Sequence, residues 1–280
     1  MLNPAARRLI ADQISIPSLP LIVQKIERLL ADPDAGAIEL GALISEDPAL
    51  AAKVLKIANS SYYGLNERCL QPQQATTILG TRVLRNVVTQ AAVMKRFEHL
   101  RGGAYDVESV WRHSIVTAQT VQFLGRRCRR PIGVTPDEVY ACGLLHDLGE
   151  IVMLEGLGQA FVDVALQARA QRMPAFLAER RAFGFDHTDV GHLVATQWGL
   201  PPAIADAIAF HHGPREKLAG DPLVALVANT NLLVGRVAEG NLAGAANVFD
   251  ARTLAQTGLT PEIVEEVVAF VGESLSTVEV

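Results

Sequence analysis

Apolar residues recur along most of this chain three and four positions apart, which is the period of an α-helix. In the first hundred residues this pattern predicts helices at about 21–31, 38–44, 48–59, 73–79 and 81–98. Farther along it predicts helices at about 106–129, 136–147, 150–157, 158–172, 175–183, 186–198, 202–212, 222–238 and 260–277. No alternating stretch is long enough to indicate a strand, so the sequence predicts an all-α fold.

Aspartates, prolines and glycines mark where several of these helices begin and end. Asp47 precedes Pro48, which predicts an N-cap carboxylate followed by proline in the first helical turn. The pair Tyr63-Gly64 is expected to break the helical pattern that follows. The run Arg101-Gly102-Gly103 is the best candidate for a boundary between two halves. We therefore expect an N-terminal helical bundle packed on a second helical bundle that contains most of the histidines.

Composition and charge narrow the classes of function. Hydrophobic residues make up 49% of the 280 positions and charged residues 20%, which suits a large core and excludes a disordered chain. The net charge of −5 argues against broad binding to nucleic acid or anionic lipid, the short arginine cluster at 126–130 being a local exception. Three widely spaced cysteines fit neither a disulfide framework nor a zinc knuckle. With no secretory signal and no apolar run of about 18 residues, we expect a soluble cytoplasmic protein.

The histidines carry the clearest chemical signal. His146 and Asp147 follow an apolar helical run, and such a pair can offer one imidazole nitrogen and one carboxylate oxygen to a single metal ion. Spacing from apolar neighbours predicts that four further histidines face the interior, namely His113, His187, His211 and His212. By contrast, His99 and His192 have polar neighbours and are predicted to be solvent-exposed.

A simpler explanation exists for each of these residues. A single inward histidine is most often a hydrogen-bonded core residue, and a His-Asp dipeptide arises often by chance. However, burying five histidines and an aspartate separately is costly, at about 1–3 kcal/mol for each unsatisfied group. The pattern therefore favours one shared site, whose donors suit a divalent transition metal such as iron, manganese or zinc.

The order His113, His146-Asp147, His187, His211-His212 resembles that of the HD superfamily of metal-dependent phosphohydrolases. More closely, the chain resembles the HDOD family, the HD-related output domain of bacterial signalling proteins. The segments that carry this resemblance are Ile16–Pro20, Ser45–Leu50, Val54–Ser60, Gly143–Gly149, Asp186–Gly191, Trp198–Pro201 and Ile208–His212. The resemblance implies an HDOD domain at 10–240, with an N-terminal half at 10–104 and an HD-like half at 105–240, followed by a C-terminal helical extension at 241–280.

The resemblance also implies where this chain departs from active relatives. The active cyclic-dinucleotide phosphodiesterases of the superfamily form the HD-GYP group. By position, six residues of this chain match their metal ligands, namely His113, His146, Asp147, His187, His211 and His212. An acidic ligand expected one turn before the first histidine is Ser109 here, and the late aspartate corresponds to Asn229. The lysine expected three residues after the His-Asp pair is Glu150, and the GYP signature is absent. These departures predict a degenerate metal site.

Two functions remain open from the sequence. The first is a stand-alone regulatory module that binds a protein partner or a signalling nucleotide, with no appreciable catalysis and no nucleic-acid or membrane partner. The alternative is a metal-dependent phosphohydrolase acting on a nucleotide or cyclic dinucleotide. In that case His146 and Asp147 hold the principal ion, and a metal-bound hydroxide attacks phosphorus.

Overall fold

A computed structural model describes residues 4–32, 35–59, 65, 67–245 and 247–278. These residues contain α-helices and one 3-10 turn at Glu98–Leu100, and no strand occurs among them, so the predicted all-α class is confirmed. The α-helices are, in chain order, α1 (Pro4–Gln13), α2 (Leu21–Ala31), α3 (Ala37–Ser45), α4 (Pro48–Ala58), α5 (Pro72–Arg96), α6 (Val107–Gly125), α7 (Pro136–Leu145), α8 (Leu148–Leu157), α9 (Gln159–Ala170), α10 (Ala175–Phe183), α11 (His187–Gln197), α12 (Pro202–Phe210), α13 (Arg215–Gly220), α14 (Pro222–Ala238), α15 (Leu242–Ala245), α16 (Ala251–Thr257) and α17 (Pro261–Thr277).

The predicted helices all have counterparts among these elements, and the differences are local. The two helices expected at 73–79 and 81–98 form one element, α5, which is kinked at Gly80, where φ is +73°. Four helices were not predicted: α1, α13, α15 and α16. The start of α16 nevertheless has a sequence signal, the N-cap residue Asp250, whose side chain accepts a hydrogen bond from the backbone N–H of Thr253. The expected break at Tyr63-Gly64 lies outside the described residues.

The helices divide into two compact units. The smaller unit is Ser18–His99 and contains α2 to α5. The predicted N-cap at its third helix is confirmed, because Asp47 Oδ1 accepts hydrogen bonds from the backbone N–H groups of Ala49 at 3.0 Å and Leu50 at 3.2 Å. Lys95 Nζ lies 2.7 Å from the other oxygen of this carboxylate. The core of this unit is aliphatic and includes Leu40, Ile44, Val54, Ala75, Leu84 and Val88.

The larger unit contains the described residues up to Pro17 together with those from Leu100 onward. Four of its helices, α6, α7, α14 and α17, share one core, which includes Val116, Leu124, Leu226, Val234, Val267 and Val271. None of the helices in the described part of the chain is both long and apolar enough to cross a bilayer. The domain bounds 10–104, 105–240 and 241–280 stay predictions.

Helices α8 and α11 of the larger unit approach each other closely at two glycines. A Cβ atom at Gly149 would lie only 1.9 Å from the carbonyl oxygen of His187 and 2.8 Å from the backbone nitrogen of Gly191. Hydrogen is therefore the only side chain that this crossing accommodates without a shift of backbone. The contact fixes the first turn of α11 against the first turn of α8, which places His187 beside Asp147.

Candidate metal centre

The six residues expected to bind metal lie within or at the ends of five helices. His146 follows α7, and the next residue, Asp147, precedes α8. His187 is the first residue of α11, whose N-cap Asp186 accepts hydrogen bonds from the backbone N–H groups of Thr188 and Asp189. The remaining three are His113 within α6 and the His211-His212 pair that follows α12.

Asp147 lies at the centre of this cluster. Its Oδ2 is 2.9 Å from Nε2 of His146 and 3.7 Å from Nε2 of His113. Its Oδ1 is 3.3 Å from Nε2 of His211 and 3.7 Å from Nε2 of His187. Four imidazoles thus present the same ring nitrogen to one buried carboxylate. His212 belongs to the cluster as well, since one of its ring nitrogens lies within 4.8 Å of donor atoms of Asp147, His187 and His211.

The opposite nitrogen, Nδ1, is anchored in three of these rings. His146 Nδ1 lies 2.6 Å from the Gly143 carbonyl oxygen, and His211 Nδ1 lies 2.9 Å from the Ile208 carbonyl oxygen. In His187 the anchor is a carboxylate, with Nδ1 2.7 Å from Glu179 Oε2. The Nε2 atoms of all three rings are buried and have no hydrogen-bond partner among the described residues.

This pattern fits a metal ion. Histidine ligands of metals usually donate their second ring N–H to a carbonyl or carboxylate, which fixes the tautomer and leaves the other nitrogen free for the ion. A buried nitrogen without a partner is otherwise costly. Asp147 is shared by two sets of donor atoms, one with His113 and His146 and the other with His187, His211 and His212, and imidazole and carboxylate donors of this kind suit zinc, iron or manganese.

One predicted site residue needs correction. The side chain of Asn229 does not face the cluster, because its Nδ2 donates to Thr253 Oγ1 at 3.0 Å. The amide at the site belongs to Asn231, whose Oδ1 lies 2.8 Å from Nε2 of His113. Two positions along a helix correspond to a rotation of about 200°, so the two side chains point in nearly opposite directions.

The two histidines set aside as exposed have different outcomes. His99 is exposed, as predicted. The prediction for His192 was wrong, because this residue is half-buried and its Nδ1 lies 3.3 Å from the carbonyl oxygen of Ala205 on α12. The polar neighbours of His192 on its own helix gave no information about the helix packed over it.

A cavity of about 350 Å³ opens beside the cluster. Glu150 lines it, and its Oε2 accepts a hydrogen bond from the Tyr105 hydroxyl at 3.3 Å. Ser109 lines it too, with its hydroxyl donating to the Asp106 carbonyl oxygen at 2.8 Å. No lysine or arginine is among the described residues that line this cavity. The space beside the centre is therefore walled by acidic, neutral polar and aromatic groups.

The pKa values follow from burial and from this crowding of charges. Burial alone would raise the pKa of Asp147, but the positive charge of the neighbouring imidazoles, His146 first and then His211, holds it well below its usual value. Burial would likewise lower the pKa of His187, but the Glu179 carboxylate raises it to about 10. In His113 burial prevails and lowers the pKa to about 4.

Glu150 shows the opposite shift to Asp147. Burial, followed by the negative charge of Asp147, raises the pKa of Glu150 from 4.5 to about 8. In metal-free protein at neutral pH this carboxyl group is therefore mostly protonated. A lysine at the same position would instead carry a positive charge into the cavity.

These shifts predict how the stability of the metal-free protein depends on pH. Glu150 binds a proton in the folded state up to about pH 8 and releases it near 4.5 when unfolded, so its contribution to stability is lost as pH rises through that window. The raised pKa of His187, about 10, acts in the same direction above its ordinary value of 6.5. We expect the urea midpoint, measured with a chelator present, to fall from about pH 7 to about pH 9.

Substitution of Glu150 separates its contribution to the pH dependence of stability from that of His187. Glu150→Gln should make the fall in urea midpoint shallower, because the titrating carboxyl group is gone, whereas Glu108→Gln on the exposed side of α6 should leave the profile unchanged. A Glu150→Gln profile as steep as that of the parent protein would contradict the raised pKa of Glu150.

Comparison with known proteins assigns the family. Residues 16–214, more than half of the chain, match the family model of the HDOD domain. A protein of Treponema pallidum is 28% identical over 227 residues, which is 80% of this chain, and the chain spans 43% of the length of that protein. An HDOD domain protein from Geobacter sulfurreducens has the same fold, with 24% identity, a TM-score of 0.76, and coverage of 97% of this chain and 96% of that chain.

A second solved structure agrees in fold. It is a candidate phosphohydrolase from Shewanella amazonensis with 22% identity, a TM-score of 0.75, and coverage of 97% of this chain and 96% of that chain. At these identities the two structures establish the likeness of fold alone, and the family rests on the matched segment. That segment contains all six clustered residues, from His113 to His212. The chain therefore belongs to the HDOD domain family.

Proposed function

We propose that this chain is a regulatory HDOD domain that binds a divalent transition metal and acts through binding, without appreciable phosphodiester hydrolysis. The observation that carries the metal centre is the set of buried Nε2 atoms, in His146, His187 and His211, that surround Asp147 without hydrogen-bond partners. Asp147 would hold the ion together with histidines from the two donor sets that share it, which are His113 with His146 and His187 with His211 and His212. A metal ion there would neutralise the buried carboxylate and join the helices that carry these ligands.

The cavity argues against hydrolysis of a phosphodiester. Efficient phosphoryl transfer needs fixed positive charge or hydrogen-bond donors where negative charge develops in the transition state. Here the position of the expected lysine is Glu150, and no lysine or arginine is among the described lining residues. The position of one expected acidic ligand carries Ser109, and the side chain beside His113 is the amide of Asn231 and not a carboxylate. Loss of one preorganised contact of this kind typically costs about 10²–10³ in rate.

A phosphohydrolase is the second candidate, and one observation favours it. All six residues that match ligands of the active relatives are present and lie in one cluster. The fold is also shared with the candidate phosphohydrolase from Shewanella amazonensis. Under this alternative the substrate would be a nucleotide or cyclic dinucleotide bound in the cavity beside Asp147.

An assay of cyclic-dinucleotide hydrolysis distinguishes the regulatory domain from the phosphohydrolase. We expect no measurable hydrolysis of a cyclic dinucleotide by the purified protein supplied with magnesium, manganese or iron(II), because no lysine or arginine is among the described residues that line the cavity. The measurement is product formation by chromatography, with elemental analysis of untagged protein showing whether metal is bound. Turnover that disappears in Asp147→Ala would overturn the regulatory proposal. Bound metal without turnover would support it.

The role of Glu150 can be tested in the same assay. Glu150→Lys introduces the positive charge found in active relatives, whereas Glu150→Gln removes the ionisable carboxyl group and adds no charge. If repulsion by Glu150 were the only obstacle, Glu150→Lys would gain activity that Glu150→Gln lacks. We expect neither variant to hydrolyse the substrate, because both still have Ser109 at the position of an expected acidic ligand and the neutral amide of Asn231 beside His113.

A further inference from the structure

Helix α10 contacts two histidines of the centre although it contains none of the six predicted ligands. Glu179, which is 2% exposed, accepts hydrogen bonds from His187 through both the ring Nδ1, at 2.7 Å, and the backbone N–H, at 2.8 Å. Three residues earlier on the same face, Phe176 stacks on His212, with ring centroids 4.6 Å apart and an interplanar angle of 16°. One short helix thus contacts both His187 and His212.

A second set of contacts ties α10 to the first turn of α11. Arg180 Nε donates to Asp186 Oδ2 at 3.0 Å, and Arg180 Nη2 donates to Asp189 Oδ2 at 3.1 Å. Asp186 is the N-cap of α11, so Arg180 holds the carboxylate that begins the helix carrying His187. The consecutive residues Glu179 and Arg180 therefore hold the start of α11 through His187 and Asp186, respectively.

The Glu179 contact has a direct chemical consequence for metal binding. A carboxylate that accepts the Nδ1 proton of histidine fixes the ring orientation and increases the basicity of Nε2. In His187 that Nε2 is the buried nitrogen without a partner, 3.7 Å from Asp147 Oδ1. Without Glu179, the His187 ring would have no anchor on Nδ1 among the hydrogen bonds of the described residues.

We infer that α10 positions His187 and His212 for the metal, and that metal binding in turn orders α10. This inference rests on the proposed metal centre. Coupling between two equilibria is reciprocal, so a substitution that loosens the contact of α10 with His187 must weaken metal binding. Equally, bound metal must lower the equilibrium constant for opening of α10 by the same factor by which that opening lowers metal affinity. The outer side of α10 reaches the surface, with Leu177 47% exposed, so its opening can be followed by amide exchange.

Two substitutions at one position test the inference. Glu179→Gln keeps an oxygen that can accept both hydrogen bonds and removes the charge, whereas Glu179→Ala removes both. We expect Glu179→Ala to weaken Co²⁺ binding by about 10–100-fold and Glu179→Gln to have a smaller effect, as for other outer partners of metal-bound histidines. Titration followed by the visible absorption of bound Co²⁺ gives the affinity. The exposed Glu265→Gln on α17 is the matched control and should bind as the parent protein does.

Hydrogen exchange provides the readout that a purely structural Glu179 would not change. In the parent protein, adding Co²⁺ should slow exchange of the α10 backbone amides, and Glu179→Ala should reduce that slowing. Unchanged exchange in α10 together with parental Co²⁺ affinity in Glu179→Ala would overturn the inference while leaving the metal centre intact. If Glu179→Ala fails to fold, two other measurements test the inference. They are the effect of Co²⁺ on amide exchange of α10 in the parent protein and the Co²⁺ affinity of Glu179→Gln. Absence of Co²⁺ binding in the parent protein would overturn both the metal centre and the role of α10.

Discussion

Replacing Asp147 with asparagine is expected to abolish tight binding of a divalent transition metal. The Asp147 carboxylate lies 2.9 Å from Nε2 of His146 and 3.3 Å from Nε2 of His211, so it faces the same space as the orphaned ring nitrogens. Asparagine keeps the size of the side chain but removes its charge and one acceptor oxygen. We expect the loss of affinity to exceed the roughly 10–100-fold that substitution of an outer partner costs.

The measurement compares stability with and without metal. Metal at about 100 times its dissociation constant should stabilise the parent protein by about 2.7 kcal/mol, and it should give Asp147→Asn no stabilisation. Because each protein is compared with itself, any effect of the substitution on the metal-free fold cancels. The exposed Asp163→Asn on α9 serves as control and should gain the full stabilisation. Metal content and stabilisation retained by Asp147→Asn would show that the centre does not depend on this carboxylate.

Sequence reasoning located the cluster residues but missed several of their partners. His146 and Asp147 are adjacent in the chain, and the histidines recur at helical spacings from apolar neighbours, so periodicity alone brings them to one interior. Glu179 reaches His187 from the preceding helix, across a turn that begins at Gly184, where φ is +82°. Periodicity within a helix contains no information about contacts between helices, so the sequence could not identify Glu179.

The error at Asn229 has a different cause. Helix α14 is buried over most of its circumference, including Leu223 to Ala228 and Thr230. A helix that is apolar all round has no polar face to fix its rotation, so the pattern does not tell which amide faces the histidines. The short helices α13 and α15 were missed for a related reason, since four to six residues span too few turns for a period to show. Long amphipathic helices were the predictable part of this fold.

Replacing Gly149 with alanine is expected to destabilise the fold and to weaken the metal centre together. The added Cβ would lie 1.9 Å from the carbonyl oxygen of His187 and 2.8 Å from the backbone nitrogen of Gly191, so α8 and α11 must separate. Overpacking of this kind typically costs 1–3 kcal/mol, and a clash with backbone belongs at about the upper end of that range. Separating the helices also moves His187 away from Asp147, so metal affinity should fall with stability.

Gly235 provides the matched control because it lies inside α14 and, apart from the adjacent helix backbone and its two chain neighbours, no described atom lies within 4 Å of a Cβ built there. Glycine inside a helix is less favourable than alanine by about 0.5–1 kcal/mol, so Gly235→Ala should raise the free energy of unfolding by about that amount. Urea unfolding and metal titration of both variants measure the two effects. Gly149→Ala with parental stability and parental metal affinity would show that the crossing of α8 and α11 does not hold His187 in place. Helix propensity alone favours alanine at both positions. A lower free energy of unfolding for Gly149→Ala together with a higher one for Gly235→Ala would therefore show that the loss of stability arises at the crossing of α8 and α11.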